Sequence, residues 1–238
     1  MELFHYDFFL NALIAVVLLS ISSAIIGTYI VSRRLVSISG GVTHACFGGL
    51  GLGYFLGISP VAMAAVFAIG SSLGVQWMAA RHRVREDSAI AVIWAIGMAV
   101  GTLFIFLTPG YVPELNSFLF GNILTITRSD LWAFLLFTAV LIIFMSLRYR
   151  QIVICAFDAD FARVRHLPVT FISTAMTVLV AVCIVLTIRL VGVMLLMSML
   201  SLPQMTAEAF VRRFSSIMWL SIAISLICSL SGLPLATV

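Results

Sequence analysis

The sequence predicts an all-α, polytopic transmembrane helical bundle of about eight spans. Three observations carry this. The chain is 63% hydrophobic and 9% charged, with mean hydropathy +1.21, whereas soluble domains carry roughly 25% charged residues. Apolar runs long enough to cross a bilayer as helices repeat along the whole chain. The runs are continuous rather than alternating, which excludes a closed barrel, the other structure that satisfies its backbone in lipid. No polar stretch is long enough for a soluble domain, so residues 1–238 read as a single transmembrane domain.

Each element follows from the same pattern. The N-terminal Met1-Glu2-Leu3-Phe4-His5-Tyr6-Asp7 is acidic and lacks a clear cleavage site, so the first span is expected to be retained. Span 1 covers 8–31 and ends at Arg33-Arg34. Span 2, 36–56, is rich in glycine, and span 3, 60–80, ends at Arg81-His82-Arg83-Val84-Arg85. Span 4 covers 88–107 and is followed by a polar Pro/Gly stretch at 108–116. The apolar piece at 118–126 is too short to cross alone and reads as re-entrant or as a short helix at the outer surface. Span 5, 131–147, ends at Arg148-Tyr149-Arg150, and spans 6, 7 and 8 cover 169–188, 190–210 and 214–230.

If every span crosses once, the arginines at 33–34, 81–85, 148–150, 163–165 and 212–213 share one side. Arginine-rich short loops face the cytoplasm, so the N-terminus and the 108–117 loop lie outside. Arg128 and Arg189 fall on the outer side as exceptions. The formal charge of +4 therefore sits at span ends among membrane lipid and calls for no nucleic-acid partner.

Few residues carry chemistry. Cys46, Cys155, Cys183 and Cys228 have no paired spacing and read as small apolar residues rather than a disulfide or zinc framework. His44 is the one titratable residue well inside a span; such a group faces a cavity or a partner. It is either a metal contact or a histidine hydrogen-bonded to a neighbouring helix, such as to Thr43 or Ser37 of a packed partner. Gly49 and Gly53 have the small-xxx-small spacing that lets helices approach closely. Met194, Met197, Met199 and Met205 offer soft thioethers, though methionine more often fills irregular core space. Glu86-Asp87 read as the cap of span 4.

One amphipathic island, 152–167, lies between spans 5 and 6. Asp158 or Asp160 can start a helical turn, and Arg163, Arg165 and His166 fall near its end. Phe157, Phe161 and Val164 recur at helical spacing. The plain alternative is a solvated inter-span loop.

Four stretches together resemble the membrane subunits of the ABC transporter family that imports zinc, manganese or iron(II), the ABC-3 family. They are Ser32-Arg33-Arg34-Leu35 through His44-Ala45-Cys46-Phe47-Gly48-Gly49, then Arg85-Glu86-Asp87-Ser88-Ala89-Ile90, then Phe118-Leu119-Phe120-Gly121-Asn122-Ile123-Leu124, and Phe157-Asp158 through Ala162 with Gly192 and Pro203 beyond. Their order and spacing, not any one of them, carry the resemblance. It implies a type II ABC importer-like permease in a bacterial inner membrane, not an enzyme itself, with no bound cofactor. Two copies would pair with two cytoplasmic ATPase subunits, and an extracytoplasmic metal-binding protein would deliver a divalent metal. The island at about 155–167 would be the coupling helix, using Phe157, Asp158, Asp160, Phe161, Arg163 and Arg165, with Pro168 starting the next span.

The resemblance also places His44 on the translocation path. Many relatives carry an aspartate one turn before this histidine, where this chain has Gly40. A second ligand would then come from Ser39, Thr43, Asn122 or the His44 of a second copy. A transport path need not bind tightly, because the ion must leave. Zinc comes first, then manganese or iron, because losing a hard oxygen ligand argues against manganese. A stand-alone secondary carrier or channel for a small cation is the competing class. It would be expected to show an inverted repeat and buried acids, and the sequence shows no convincing repeat and no acid at mid-span.

Overall fold

The computed structural model describes residues 7–82, 84–109, 121 and 127–235, and every regular element among them is helical. The helices are α1 (Asp7–Ser32), α2 (Val36–Leu56), α3 (Pro60–His82), α4 (Glu86–Leu107), α5 (Arg128–Phe157), the short α6 (Ala159–Val164), α7 (Val169–Phe210) and α8 (Phe214–Leu235). Apart from Gly121, the segment 118–126 lies outside the described residues.

Six helices, α1, α3, α4, α5, α7 and α8, are long and apolar enough to cross a membrane. α2 matches them in length, with 21 residues, but glycines and His44 make it less apolar. It does not need to be apolar, because it lies inside the bundle. It packs chiefly on α4 and α3, with α7 also against it. The approach is backbone to backbone. A Cβ on Gly49 would strike the backbone of Met63 and Ala64, and one on Gly51 would strike that of Gly101; Gly53 lies against Pro60. Any side chain there would push α3 or α4 away.

α7 is the longest element, with 42 residues. Straight, it would extend roughly 63 Å, about twice the hydrocarbon core. It breaks at Gly192, whose φ of 78° and ψ of 176° belong to a region essentially reserved for glycine. The chain folds back there. Near the C-terminal, arginine-bearing end of α5, Tyr149 meets Phe214, just beyond α7, with ring centroids 6.0 Å apart. At the opposite end of α5, Arg189 Nη1 lies 2.9 Å from Asp130 Oδ1. The turn therefore falls at Gly192 rather than at Arg189, which stays helical. Together with α2, the two arms, 169–191 and 193–210, bring the bilayer-length segments among the described residues to eight.

The second arm carries Pro203, which has no N–H for the Met199 carbonyl. Gln204 compensates: its Nε2 donates to that carbonyl at 3.2 Å and to the Ser23 carbonyl of α1 at 3.0 Å.

α5 corrects an expectation. A span ending at 147 with a separate helix over 155–167 is replaced by one helix of 30 residues that runs through Arg148-Tyr149-Arg150 to Phe157. No glycine or proline interrupts it. At about 45 Å it exceeds the ~30 Å hydrocarbon core. Its outer end is fixed by a capping box between Thr127 and Asp130. The separate helix shrinks to the six residues of α6.

Candidate translocation path and coupling surface

His44 sits near the middle of α2 and is half-buried. Its ring stacks on Trp94 of α4, with centroids 4.4 Å apart and planes 5° from parallel. The Phe47 ring, one turn further along α2, has its centroid 6.2 Å away. His44 Nδ1 is buried and has no hydrogen-bond partner among the described residues. Within this chain neither Thr43 nor Ser37 bonds to it. Thr43 Oγ1 donates instead to the Ser39 carbonyl at 2.5 Å, and Ser37 Oγ to Asp87 Oδ1 at 2.7 Å.

Of the other ligand candidates, Ser39 and Thr43 are buried with their hydroxyl protons turned back onto α2, Ser39 to the Val36 carbonyl at 2.7 Å. Asn122 lies outside the described residues. Gly40, one turn before His44, faces α7. A Cβ placed there would lie 2.8 Å from Met197 Cε and 4.0 Å from the Trp94 ring. The neighbourhood of His44 is thus built by α2, α4 and the second arm of α7. It offers an uncommitted imidazole nitrogen with an indole face and a thioether side chain nearby. No group of three His, Cys, Asp or Glu residues able to hold a metal occurs among the described residues. Such a place can touch a passing ion but does not form a closed storage site.

Sequence reasoning misses Trp94 as the neighbour of His44 and Met197 as the neighbour of Gly40. They belong to other helices, and nothing in the spacing along α4 or α7 refers to α2.

At the end of the bundle where α1 meets α2, the same helices are tied by charge. Arg33 lies 3.3 Å from Glu86 Oε1 and donates to the Tyr29 hydroxyl at 3.2 Å. Glu86 and Asp87 do not cap α4 with their side chains; its N-cap is Arg85, without a side-chain bond. They stand in the first turn, where negative charge is favoured, and reach across to the α1–α2 junction. Burial works against the Arg33 charge, but Tyr29, Glu86 and Cys155 together outweigh it and raise its pKa. Arg33 is therefore a cation throughout the physiological range.

α6 joins α5 to α7. Asp158 ends α5 and caps α6, accepting from the Phe161 backbone N–H at 2.8 Å. Phe157 is the last residue of α5, not part of α6. Asp160 pairs with Arg163 at 2.7 Å, and the Arg165 guanidinium lies 5.3 Å from the Phe161 ring centroid. Phe157, Phe161 and Val164 are 62%, 45% and 78% exposed, whereas Ala162 is fully buried. The helix thus rests on its alanine and turns its large apolar groups away from the bundle. His166, with φ 55°, turns the chain back toward Pro168, the N-cap of α7.

The sequence profile of the ABC 3 transport family matches residues 5–238. The chain belongs to the ABC 3 transport family. Among its ABC 3 relatives, a Chlamydia pneumoniae protein named a probable metal transport system membrane protein is 37% identical over 223 residues, covering 91% of this chain and 76% of that protein. A Haemophilus influenzae protein named a probable iron transport system membrane protein is 30% identical over 237 residues, covering 99% and 87%. The fold matches a chain of PsaBC from Streptococcus pneumoniae, solved in complex with Fab, at a TM-score of 0.81 and 25% identity, over 96% of this chain and 82% of that one. As an ABC 3 protein, the chain is a multi-pass membrane protein of the permease type.

Proposed function

We propose that this chain is the membrane-spanning subunit of an ATP-driven divalent metal importer. Zinc is the first cargo to test, then manganese or iron. Two copies form the path, two cytoplasmic ATPase subunits dock on the α6 side, and an extracytoplasmic metal-binding protein delivers the ion. ATP hydrolysis belongs to the partner, not to this chain.

The buried, unpartnered Nδ1 of His44 carries the reading. An imidazole is a borderline donor that suits zinc, and the carboxylate that manganese favours is absent at Gly40. The extended α5 and outward-facing α6 support the coupling role. A cap, a short ion pair and three projecting apolar side chains give a compact knob on a stiff support.

The test is metal uptake into vesicles holding the chain with its ATPase and binding protein, comparing zinc, manganese and iron(II) with and without ATP. ATP-dependent uptake of one metal, lowered at least tenfold by His44→Ala with the subunits still co-purifying, is the expected result; tenfold corresponds to about 1.4 kcal/mol at the barrier. Uptake that ignores ATP, or an unchanged rate in His44→Ala, overturns it.

A further inference from the structure

α2 and α4 interlock on both sides of His44. A Cβ on Gly41, one turn before it, would strike the Ile90 side chain, and one on Gly97 would strike Ala45, the residue after His44. Ile90 and Gly97 lie one turn to either side of Trp94 along α4. The indole is thus held over the imidazole, with centroids 4.4 Å apart and planes 5° from parallel, unless the two helices come apart. Trp94 is 42% exposed, so it does not stand there to fill the core.

A histidine that meets a metal is ordinarily oriented through its other ring nitrogen, which bonds a carboxylate, a carbonyl or water. His44 Nδ1 is buried with no partner among the described residues. The hydroxyls of Ser39 and Thr43 are turned onto carbonyls of their own helix. The contact that holds the imidazole is the Trp94 face instead. Stacking on a face restrains the tilt of the ring and leaves its edge free. Imidazole takes an ion in the ring plane, through a nitrogen on that edge. An indole face is also electron-rich, which favours the positive charge that an imidazole gains with the ion.

We infer that Trp94 is a positioning residue for ion contact at His44: its indole face, locked by the α2–α4 packing, orients the imidazole in place of a hydrogen-bonded carboxylate. The inference rests on the reading of His44 as an ion contact on the path. A carboxylate partner would raise the basicity of the imidazole and tighten its hold on the ion, whereas a face restrains the ring without adding a full negative charge. That suits a path from which the ion must leave.

The test is binding of radioactive zinc to the full-length chain in nanodiscs, measured by equilibrium dialysis. Trp94→Leu should weaken the His44-dependent binding roughly fivefold, the scale of one aromatic stack, and Trp94→Phe should recover most of it. A second readout is Trp94 fluorescence in a chain carrying Trp77→Phe, Trp132→Phe and Trp219→Phe, three positions that are each more than half exposed. Cobalt(II), standing in for zinc, should quench Trp94 saturably, and His44→Ala should remove the saturable part. This readout decides the matter if Trp94→Leu does not fold. Zinc binding that is lost in His44→Ala but unchanged in Trp94→Leu overturns the role of Trp94 alone. So does Trp94→Phe binding as weakly as Trp94→Leu, or His44-dependent zinc binding that leaves Trp94 unquenched by cobalt(II). Zinc binding indifferent to His44→Ala overturns this inference together with the reading it rests on.

Discussion

Gly40 decides what stands beside His44. With no side chain there, Met197 Cε occupies the notch one turn before His44, where a carboxylate would otherwise stand. Gly40→Asp is expected to fold, because the group in its way is the free end of a flexible side chain. It should also shift cargo preference toward manganese relative to zinc, as a hard oxygen donor is gained. Competitive uptake of the two metals by Gly40→Asp, alone and with Met197→Ala, checks this. A preference that stays put in both would take position 40 off the path. His44 is legible in the sequence because an ionisable group at mid-span is rare whatever surrounds it. Trp94 and Met197 are not legible, since their proximity arises only from how three helices cross. Within the chain, Thr43 does not meet His44 because its hydroxyl finds the carbonyl one turn back before it finds another helix, and Ser37 is drawn to Asp87 of α4 instead.

Two elements show how defects are compensated in place. Pro203 strands the Met199 carbonyl, and Gln204 supplies the missing donor while tying the arm to α1. Gln204→Leu should lower stability by about 1–3 kcal/mol, since two buried carbonyls lose a partner. Pro203→Ala in that background should restore part of the loss by returning a backbone N–H to Met199. Thermal melts of the two variants and the pair measure it, and strictly additive effects would refute the compensation. At α6, the six-residue helix depends on its cap. Asp158→Ala should remove about 1 kcal/mol of local helix stability and weaken co-purification with the ATPase, and Asp158→Asn should recover both. Equal binding by all three forms would show that α6 does not need to be ordered to dock. The amphipathic pattern of this island is readable from sequence, but its start is not. Apolar and basic residues continue the α5 helix equally well, so only Asp158 marks the stop.

At the scale of the whole molecule, the fold is a set of apolar helices around a less apolar one. Composition makes the outer helices plain. The inner position of α2 follows from its glycines, which need backbone neighbours on several sides. The doubling of α7 depends on one residue, Gly192, where every L side chain would be strained. Gly192→Val should therefore prevent the two arms from closing and yield aggregated rather than monodisperse chain by size-exclusion chromatography; a normal elution profile would mean the turn lies elsewhere. α5 has the opposite character. It is an unbroken rod, clamped by a capping box and the Arg189 contact at its outer tip and carrying α6 at its inner tip. A rod of this kind can tilt or slide but cannot shorten. A displacement of α6 at one tip of this rod is thereby carried along α5 toward the Asp130–Arg189 contact at the other.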